Sequence, residues 1–153
     1  MKYKVFDIAN WFLHQESMPQ KKLQKLCYYA KAWSLVLLTN VDLDFSFQAW
    51  VHGPVNTELW NSFKGYGYID IEQDALEKDA AEIDEKTEEL LNLVWNTYGE
   101  FSGFQLEKLT HSEKPWIKAR EGLAELTPSS RVIDEGEMKT FYYDMYGGEG
   151  IGE

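Results

Sequence analysis

The chain has 153 residues, of which 44% are hydrophobic, and a formal net charge of −11, and it is long enough for one domain that buries roughly 70% of its unfolded surface. Because a general nucleic-acid binder neutralises phosphates with Lys and Arg, this acidic balance excludes that class as the main function. No apolar run approaches the ~18 residues that span a bilayer, and the first residues lack the apolar core of a signal peptide, so we expect a soluble protein that is not exported. The only cysteine, Cys27, has no partner for a disulfide, which indicates the reducing cytoplasm.

Two helices are predicted at the start of the chain. Apolar residues recur at helical spacing over residues 5–12, which predicts a helix that ends before Ser17. Ser17 and Gln20 have the spacing of a capping box, so a second helix should begin there and form the centre of the core. Its predicted apolar face consists of Leu23, Leu26, Cys27, Ala30, Ser34 and Leu37, and its wetter side of Lys21, Lys22, Lys25 and Lys31.

A small β element is predicted in the middle of the chain. The hydrophobic period changes to two over residues 45–51, which indicates a short strand with Trp50 on the face opposite its apolar side chains. Gly53 and Pro54 are predicted to stop this strand. Residues 68–71 are interpreted as a second short strand, which would complete a two-stranded element.

Further helices follow from helical periodicity and from residues typical of helix ends. The acidic residues 72–82 fit either a loop or a frayed helix. The predicted helices are one from residue 55 that closes at Gly65, one capped by Asp84, one opened by the capping box of Ser102 that stops near His111, one with Pro115 in its first turn that ends at Gly122, and one over residues 134–146.

These elements predict a mainly α fold. We expect a single compact helical domain of about six helices with a short two-stranded β element, covering residues 1–146. The remaining residues 147–153 are mostly glycine and glutamate and have too little apolar surface to bury, so a disordered tail is predicted.

The charge is unevenly distributed along the chain. Residues 1–33 hold six lysines against two carboxylates, whereas residues 72–100 hold ten carboxylates against two lysines, a net of −8. A basic protein partner would be attracted to the acidic side at long range. The alternative is that these carboxylates only solvate a helix surface.

Candidate catalytic and metal-binding residues are few. His52 and His111 each end an element beside a proline-containing turn. They could act together as a general base and an electrophile. The alternative is that each ring hydrogen-bonds a backbone carbonyl and fixes its turn. No residue spacing completes a catalytic triad, and Cys27 lies on an apolar helix face where a thiolate is disfavoured. A metal site would need Cys27, His14, His52 and His111 without any CxxC or HExxH pair, and we expect none. Residues 65–67 form a bare GxG that is better interpreted as a turn than as a phosphate cradle.

The six tryptophans divide into two sets. Aromatic residues at exposed junctions are typical anchors of protein interfaces. We therefore interpret Trp50, Tyr66 and Tyr68 as interface candidates, with the alternative that they seal a small second core. The predicted core tryptophans are Trp11, Trp33 and Trp95, and those flanking Pro/Gly junctions are Trp50, Trp60 and Trp116.

Four ordered motifs make the chain resemble a known family. They are K-L-Q-K-L-C-Y-Y-A in residues 22–30, A-W-V-H-G-P-V in 49–55, F-K-G-Y-G in 63–67 and L-T-H-S-E-K-P-W in 109–116. This pattern resembles the Panacea domain, also met as the SocA-like antitoxin family and as phage-associated proteins. The resemblance implies that these motifs form the scaffold of the domain. The residues to which it assigns a structural role are Leu23, Lys25, Tyr28, Tyr29, Gly65, Gly67, His111, Pro115 and Trp116.

The resemblance implies a mostly helical, non-enzymatic antitoxin that neutralises a cognate toxin, encoded by the adjacent gene, through direct protein contact. We expect no cofactor, and the acidic charge and the lack of a long apolar run predict neither nucleic acid nor a membrane as partner. Two alternatives stay open: an adaptor that delivers the toxin to a ClpXP-type protease, and a hydrolase that uses the two histidines. The candidate partner-binding residues are Trp50, His52, Gly53, Pro54, Lys64, Tyr66 and Tyr68.

Overall fold

The fold is described by a computed structural model over residues 1–148. Within these residues it has seven α-helices and two pairs of short strands, so the prediction of a mainly α single domain is confirmed. In chain order the elements are β1 (Lys2–Tyr3), α1 (Val5–Gln15), α2 (Gln20–Leu37), β2 (Asp42–Leu43), β3 (Gln48–Trp50), β4 (Gly53–Val55), α3 (Thr57–Phe63), a 3₁₀-helix (Lys64–Tyr66), α4 (Glu85–Tyr98), α5 (Gly103–His111), α6 (Lys114–Ala119) and α7 (Glu135–Gly148).

Helix α2 is the centre of the core, as predicted. Helices α1, α4, α5 and α7 pack around it, and β4 contacts it near its middle. Because neighbours enclose it from several directions, both Tyr28 and Tyr29 are buried beside the predicted apolar residues Leu26 and Cys27. Helix α2 therefore contacts α3, α5 and β4, each of which carries part of a motif.

The lysines predicted on the wetter side of α2 are mostly buried, so that prediction is wrong. Lys22, Lys25 and Lys31 all lie in the protein interior, and only Lys21 stays partly exposed. Long lysine stems pack against apolar neighbours while their ammonium groups reach acceptors. The Lys22 ammonium donates to the Gly99 carbonyl at 2.6 Å, and that of Lys31 donates to the Leu43 carbonyl at 2.5 Å. The periodicity could not show that α4 and the β2 segment would cover this side.

The β element is a hairpin, and its second strand differs from the predicted one. β3 pairs with β4 in antiparallel register, with Trp50 opposite Gly53, so Gly53 and Pro54 begin a strand where the sequence predicted a stop. Residues 68–71 form no strand apart from a single bridge between Ile71 and Met18. A separate parallel pair joins β1 and β2.

The hairpin requires glycine at position 53. Gly53 has φ of +110°, a backbone conformation that side chains with a Cβ rarely adopt. A Cβ built there would lie 2.7 Å from Cε of Lys25 and 3.2 Å from Oγ1 of Thr110. The hairpin backbone therefore lies directly against α2 and α5.

Replacing Gly53 by Ala should lower the free energy of unfolding by about 1–3 kcal/mol, because the substitution combines backbone strain with a clash against Lys25. Gly65→Ala is the matched control, since Gly65 has ordinary φ and open space around its Cβ position. The control should change stability by no more than about 0.5 kcal/mol in chemical denaturation. Equal losses for both variants would contradict this account.

Two of the three predicted helix caps are confirmed. The Asp84 side chain accepts from the Thr87 amide at the start of α4, and Ser102 and Gln105 form a reciprocal capping box at the start of α5. Ser17 does not cap α2, because its hydroxyl donates to the Ile71 carbonyl at 2.5 Å. Helix α2 begins instead after Pro19.

The remaining local predictions fall at the ends of elements. Residues 72–82 form a series of turns, which settles the open choice in favour of a loop. Pro115 occupies the first turn of α6, as predicted. The predicted tail of residues 147–153 lies outside the described residues except for the two glycines that end α7, and its disorder stays a prediction.

Candidate functional site

Three of the sequence motifs meet beneath the β3–β4 hairpin. Lys25 comes from α2, Gly53 from β4 and Thr110 from the end of α5. Nζ of Lys25 and Oγ1 of Thr110 each lie 3.2 Å from the position that a Gly53 Cβ would occupy. We call the side chains gathered here, namely Lys21, Lys25, His52, Glu107, Thr110 and His111, the hairpin cluster.

Lys25 has an unusual environment within the hairpin cluster. The residue is 2% exposed, and Nζ lies 3.2 Å from the position that a Gly53 Cβ would occupy. Burial, helped by the charge of Lys21 and opposed by that of Glu107, lowers the pKa of Lys25 to about 7. The lysine is therefore partly neutral near pH 7.

Glu107 is the carboxylate of the hairpin cluster and is already engaged. It accepts from Lys21 at 2.6 Å, and its second oxygen lies 3.3 Å from Nδ1 of His52. Burial alone would raise the pKa of Glu107, but Lys21 and His52 outweigh burial and lower it. The His52 ring is 70% exposed, so it forms the solvent side of the cluster.

His111 lies on the inner side of the same cluster. Its ring stacks on Trp116 with centroids 3.9 Å apart, and its buried Nε2 has no hydrogen-bond partner among the described residues. Burial lowers the pKa of His111, and the nearby charge of Glu107 opposes this shift. The charges of Lys25 and His52 lower the pKa further. The predicted histidine pair is thus brought close together.

The geometry of the hairpin cluster does not form a recognisable catalytic site. The Thr110 hydroxyl donates to the Glu107 carbonyl at 2.9 Å, as an ordinary helix residue does. Cys27 is fully buried elsewhere in the core, and burial raises the pKa of its thiol. Among the described residues, no three His, Cys, Asp or Glu side chains are arranged to hold a metal ion. A nucleophile held by a base is therefore missing from the cluster.

An open groove runs along the outer face of the hairpin. It has a volume of about 510 Å³, and Trp50, Val51, His52 and Pro128 contribute to its walls. Trp50 packs edge-to-face against Trp60, with ring centroids 5.3 Å apart. This groove therefore combines an aromatic wall with the exposed histidine, as an interface pocket does.

The hairpin is fixed from behind by Trp116 of the fourth motif. The Trp116 indole nitrogen donates to the Trp50 carbonyl at 2.9 Å, and Pro54 of β4 is buried. Of the hairpin residues predicted to bind a partner, Trp50 and His52 reach the surface, whereas Gly53 and Pro54 are buried. Those two residues shape the hairpin.

The K-G-Y-G turn presents its aromatic residues differently. The Tyr66 hydroxyl donates to Glu72 at 2.8 Å, and Gly67 has φ of +58°, so the turn has a fixed shape. Tyr68 is 88% exposed, and the neighbouring Ile69 is 71% exposed. Sequence reasoning missed Ile69, which it placed in a strand. Lys64 and Gly65 are also exposed on this turn.

Tyr28 and Tyr29 of the first motif belong to a buried network of hydrogen bonds. The Tyr29 and Tyr142 hydroxyls each donate to Oε1 of Glu113 at 2.8 Å, and the hydroxyls of Tyr28 and Tyr142 share a hydrogen bond of 3.1 Å. Burial raises the pKa of Glu113, and the two phenol bonds oppose this shift. Sequence reasoning did not single out Glu113, although it lies inside the fourth motif.

Removing the Glu113 carboxylate should be strongly destabilising. Glu113→Ala would leave two buried phenol donors without an acceptor, and we expect a loss of about 2–5 kcal/mol in the free energy of unfolding. Glu113→Gln keeps an acceptor oxygen and should lose clearly less. Urea denaturation of both variants tests this, and equal losses would argue against an acceptor role.

Comparison with known proteins identifies the scaffold. A family model described as antitoxin SocA-like, Panacea domain, matches residues 23–117, which is more than half of the chain. The chain belongs to the SocA-like Panacea family. This confirms the resemblance, and the matched residues include all four motifs except Lys22 and the hairpin cluster except Lys21. No curated protein and no solved structure matches the chain.

Membership of the Panacea family gives the chain an antitoxin role in general and therefore a toxin as partner in general. It also favours a non-enzymatic role. Along residues 1–148, none of the helices is both long and apolar enough to cross a membrane.

Proposed function

We propose that this Panacea-family protein is a cytoplasmic antitoxin that neutralises one cognate toxin, encoded by the adjacent gene, by direct binding. The observation that carries the proposal is the family match over residues 23–117. The geometry supports the proposal because exposed aromatic side chains lie at the hairpin groove and at the K-G-Y-G turn, both of which have a fixed backbone shape.

The electrostatics favour a basic toxin. The net charge of −11 understates the acidity of the surface, because Lys22, Lys25 and Lys31 are buried. The exposed Tyr68 lies beside a loop that contains Asp70, Glu72, Asp74, Glu77 and Asp79. A basic partner would be attracted to this side at long range and could anchor on the exposed aromatic ring.

Co-expression with the adjacent gene tests the proposal. The neighbouring product should arrest growth alone, and this protein should restore growth and co-purify with the product. Tyr68→Ser combined with Ile69→Ser should weaken binding by at least tenfold, whereas Leu126→Ser, at another exposed apolar residue, should not. A harmless neighbouring product would overturn the proposal.

The same experiment separates direct neutralisation from delivery to a protease. A ClpXP-type adaptor would shorten the half-life of the toxin in cells, whereas sequestration would leave it unchanged or longer. We expect the second result, because tight binding protects a partner from unfolding. A shortened half-life that depends on the protease would replace sequestration by delivery and leave the antitoxin role in place.

A further inference from the structure

We propose that the toxin inserts an apolar side chain into the hairpin groove and places a basic side chain, arginine or lysine, in an acidic recess beside it. This inference rests on the proposed function, because it states which face of the protein the toxin contacts and with which chemistry. The acidic recess is a cavity of about 360 Å³ whose walls include Asp42, Asp44, Glu58 and Glu135.

The hairpin groove and the acidic recess adjoin each other along β3. Gln48 contributes to the walls of both. Phe47 and Ala49 are buried in the core. The alternate residues Ser46, Gln48 and Trp50 therefore point to the outer face, where Ser46 lines the recess and Trp50 lines the groove. At about 3.3 Å per residue, an extended segment of roughly four residues spans the ~13 Å from Ser46 to Trp50.

The hairpin groove provides the apolar half of this site. Its walls include Trp50, Val51 and Pro128, and the Trp50 ring packs edge-to-face against Trp60. The Trp50 indole nitrogen donates to the Gln48 side chain at 2.9 Å, so the polar edge of the ring is already paired within the hairpin. The part of the ring that remains at the surface is apolar and favours contact with an apolar side chain.

The acidic recess provides the charged half. Four carboxylates line it, and Lys31 is the one lysine among its lining residues. The buried Lys31 ammonium donates to the Leu43 carbonyl at 2.5 Å and lies 3.4 Å from Glu135, so it is already engaged. Asp42 and Glu58 are exposed to solvent. The recess therefore attracts an added cation to its open side.

The spread of these carboxylates selects the kind of cation. Along residues 1–148, no three His, Cys, Asp or Glu side chains are arranged to hold a metal ion. Asp44 lies 3.9 Å from Lys2, and both side chains are more than half exposed, so this weak pair exchanges readily. A guanidinium or ammonium group needs only one or two carboxylates as acceptors. The acidic recess therefore suits an arginine or lysine side chain.

The bound segment lies across the face of the hairpin and does not add a strand to it. One edge of β3 pairs with β4, and the other is hydrogen-bonded to the backbone of Arg131 and Ile133. Both edges of β3 are thus occupied by this chain. The toxin is recognised through side chains, one apolar and one basic, about four positions apart.

A second copy of this chain fits the same face less well than a basic toxin. Each copy has a net charge of −11, so an acidic recess would meet another acidic surface and be repelled. A basic segment is attracted by the same charge. Charge complementarity therefore favours the toxin as the occupant.

Isothermal titration of the adjacent gene's product with the whole protein and its variants tests the charged half. Glu58→Lys reverses an exposed charge in the acidic recess and should weaken binding by roughly tenfold or more. Glu89→Lys, at an exposed position of α4, is the matched control. It changes the net charge by the same amount, so it tests long-range attraction alone and should change Kd by less than about twofold.

Two variants test the apolar half in the same titration. Trp50→Ser removes the aromatic wall of the hairpin groove and should weaken binding by roughly tenfold. Because Trp50 also packs against Trp60, a second variant guards against a folding defect. Val51→Ser shortens a side chain in the turn of the hairpin and should weaken binding by roughly threefold. The melting temperature of each variant shows that it is folded.

The outcomes separate this inference from the proposed function. If the wild type restores growth and binds the toxin, but Glu58→Lys and both groove variants bind as tightly as Glu89→Lys, this inference fails and the antitoxin role stands. A neighbouring product without toxicity would defeat both. Sedimentation of the protein alone tests the other occupant, since a dimer that dissociates in Trp50→Ser would assign the face to self-association and overturn the inference.

Discussion

Replacing Arg120 by Met should lower the free energy of unfolding by about 3–5 kcal/mol and the melting temperature by on the order of 10 °C. The Arg120 side chain is 6% exposed and contacts the Trp116 ring at 5.3 Å. Its guanidinium donates at 2.7–3.3 Å to four backbone carbonyls, those of Ala49, Ala124, Glu125 and Thr127. Methionine keeps part of the packing but leaves these carbonyls without their donor.

Arg131→Met is the control for Arg120→Met. Arg131 also donates to two backbone carbonyls, those of Ala119 and Glu121, but it is exposed, so water can replace it. We expect a change of no more than about 1 kcal/mol for this variant. Chemical denaturation monitored by tryptophan fluorescence measures both. A loss below about 1 kcal/mol for Arg120→Met would show that the four bonds contribute little.

Replacing Lys25 by Met should have the opposite effect and stabilise the protein by about 1–4 kcal/mol at pH 7, because burial disfavours the charged ammonium that the substitution removes. Methionine has nearly the same shape as the lysine stem and fits beside Gly53 without a new clash. Few substitutions of a buried motif residue are expected to be stabilising. A loss of stability would show that Lys25 has a favourable partner in solution.

The stability gained by Lys25→Met should also depend on pH. The pKa of Lys25 is lowered from its ordinary value near 10.4 in the unfolded chain to about 7 in the folded protein. Between these values the unfolded state binds more protons, so wild-type stability rises with pH relative to the variant. The advantage of Lys25→Met should fall by roughly 2 kcal/mol between pH 7 and pH 9. A constant difference across this window would contradict the lowered pKa.

The sequence predicts the parts of the fold that local chemistry determines. Asp84 and Ser102 cap their helices because the acceptor and the amide it satisfies are three residues apart, and both predictions are correct. Ser17 has the same spacing, but the distant Ile71 carbonyl takes its hydroxyl. The pairing of β3 likewise depends on a tight turn at residues 51–52 that lets glycine and proline enter a strand. A contact between distant segments decided the first exception, and a local turn decided the second.

The candidate site was predictable in composition but not in arrangement. Lys25, His52 and His111 were all named from their motifs, yet nothing in the spacing showed that they would surround one hairpin. Glu107 and Thr110 were missed, because each looks like an ordinary position of an amphipathic helix. The burial of Lys25 was missed. Its position one residue before the apolar Leu26, within a helix that is covered on most sides, is the signal that indicates this burial.

One feature of the β3 strand sets the limits of the smallest unit that can stand alone. On the side away from β4, the Ala49 amide donates to the Arg131 carbonyl, and the Ile133 amide donates to the Phe47 carbonyl. The family match ends at residue 117, before these partners and before Tyr142. A fragment trimmed to residues 23–117 would therefore lose the segment that closes the free edge of the hairpin, together with two helices that enclose α2. We therefore expect the autonomous folding unit to extend beyond the residues of the family match.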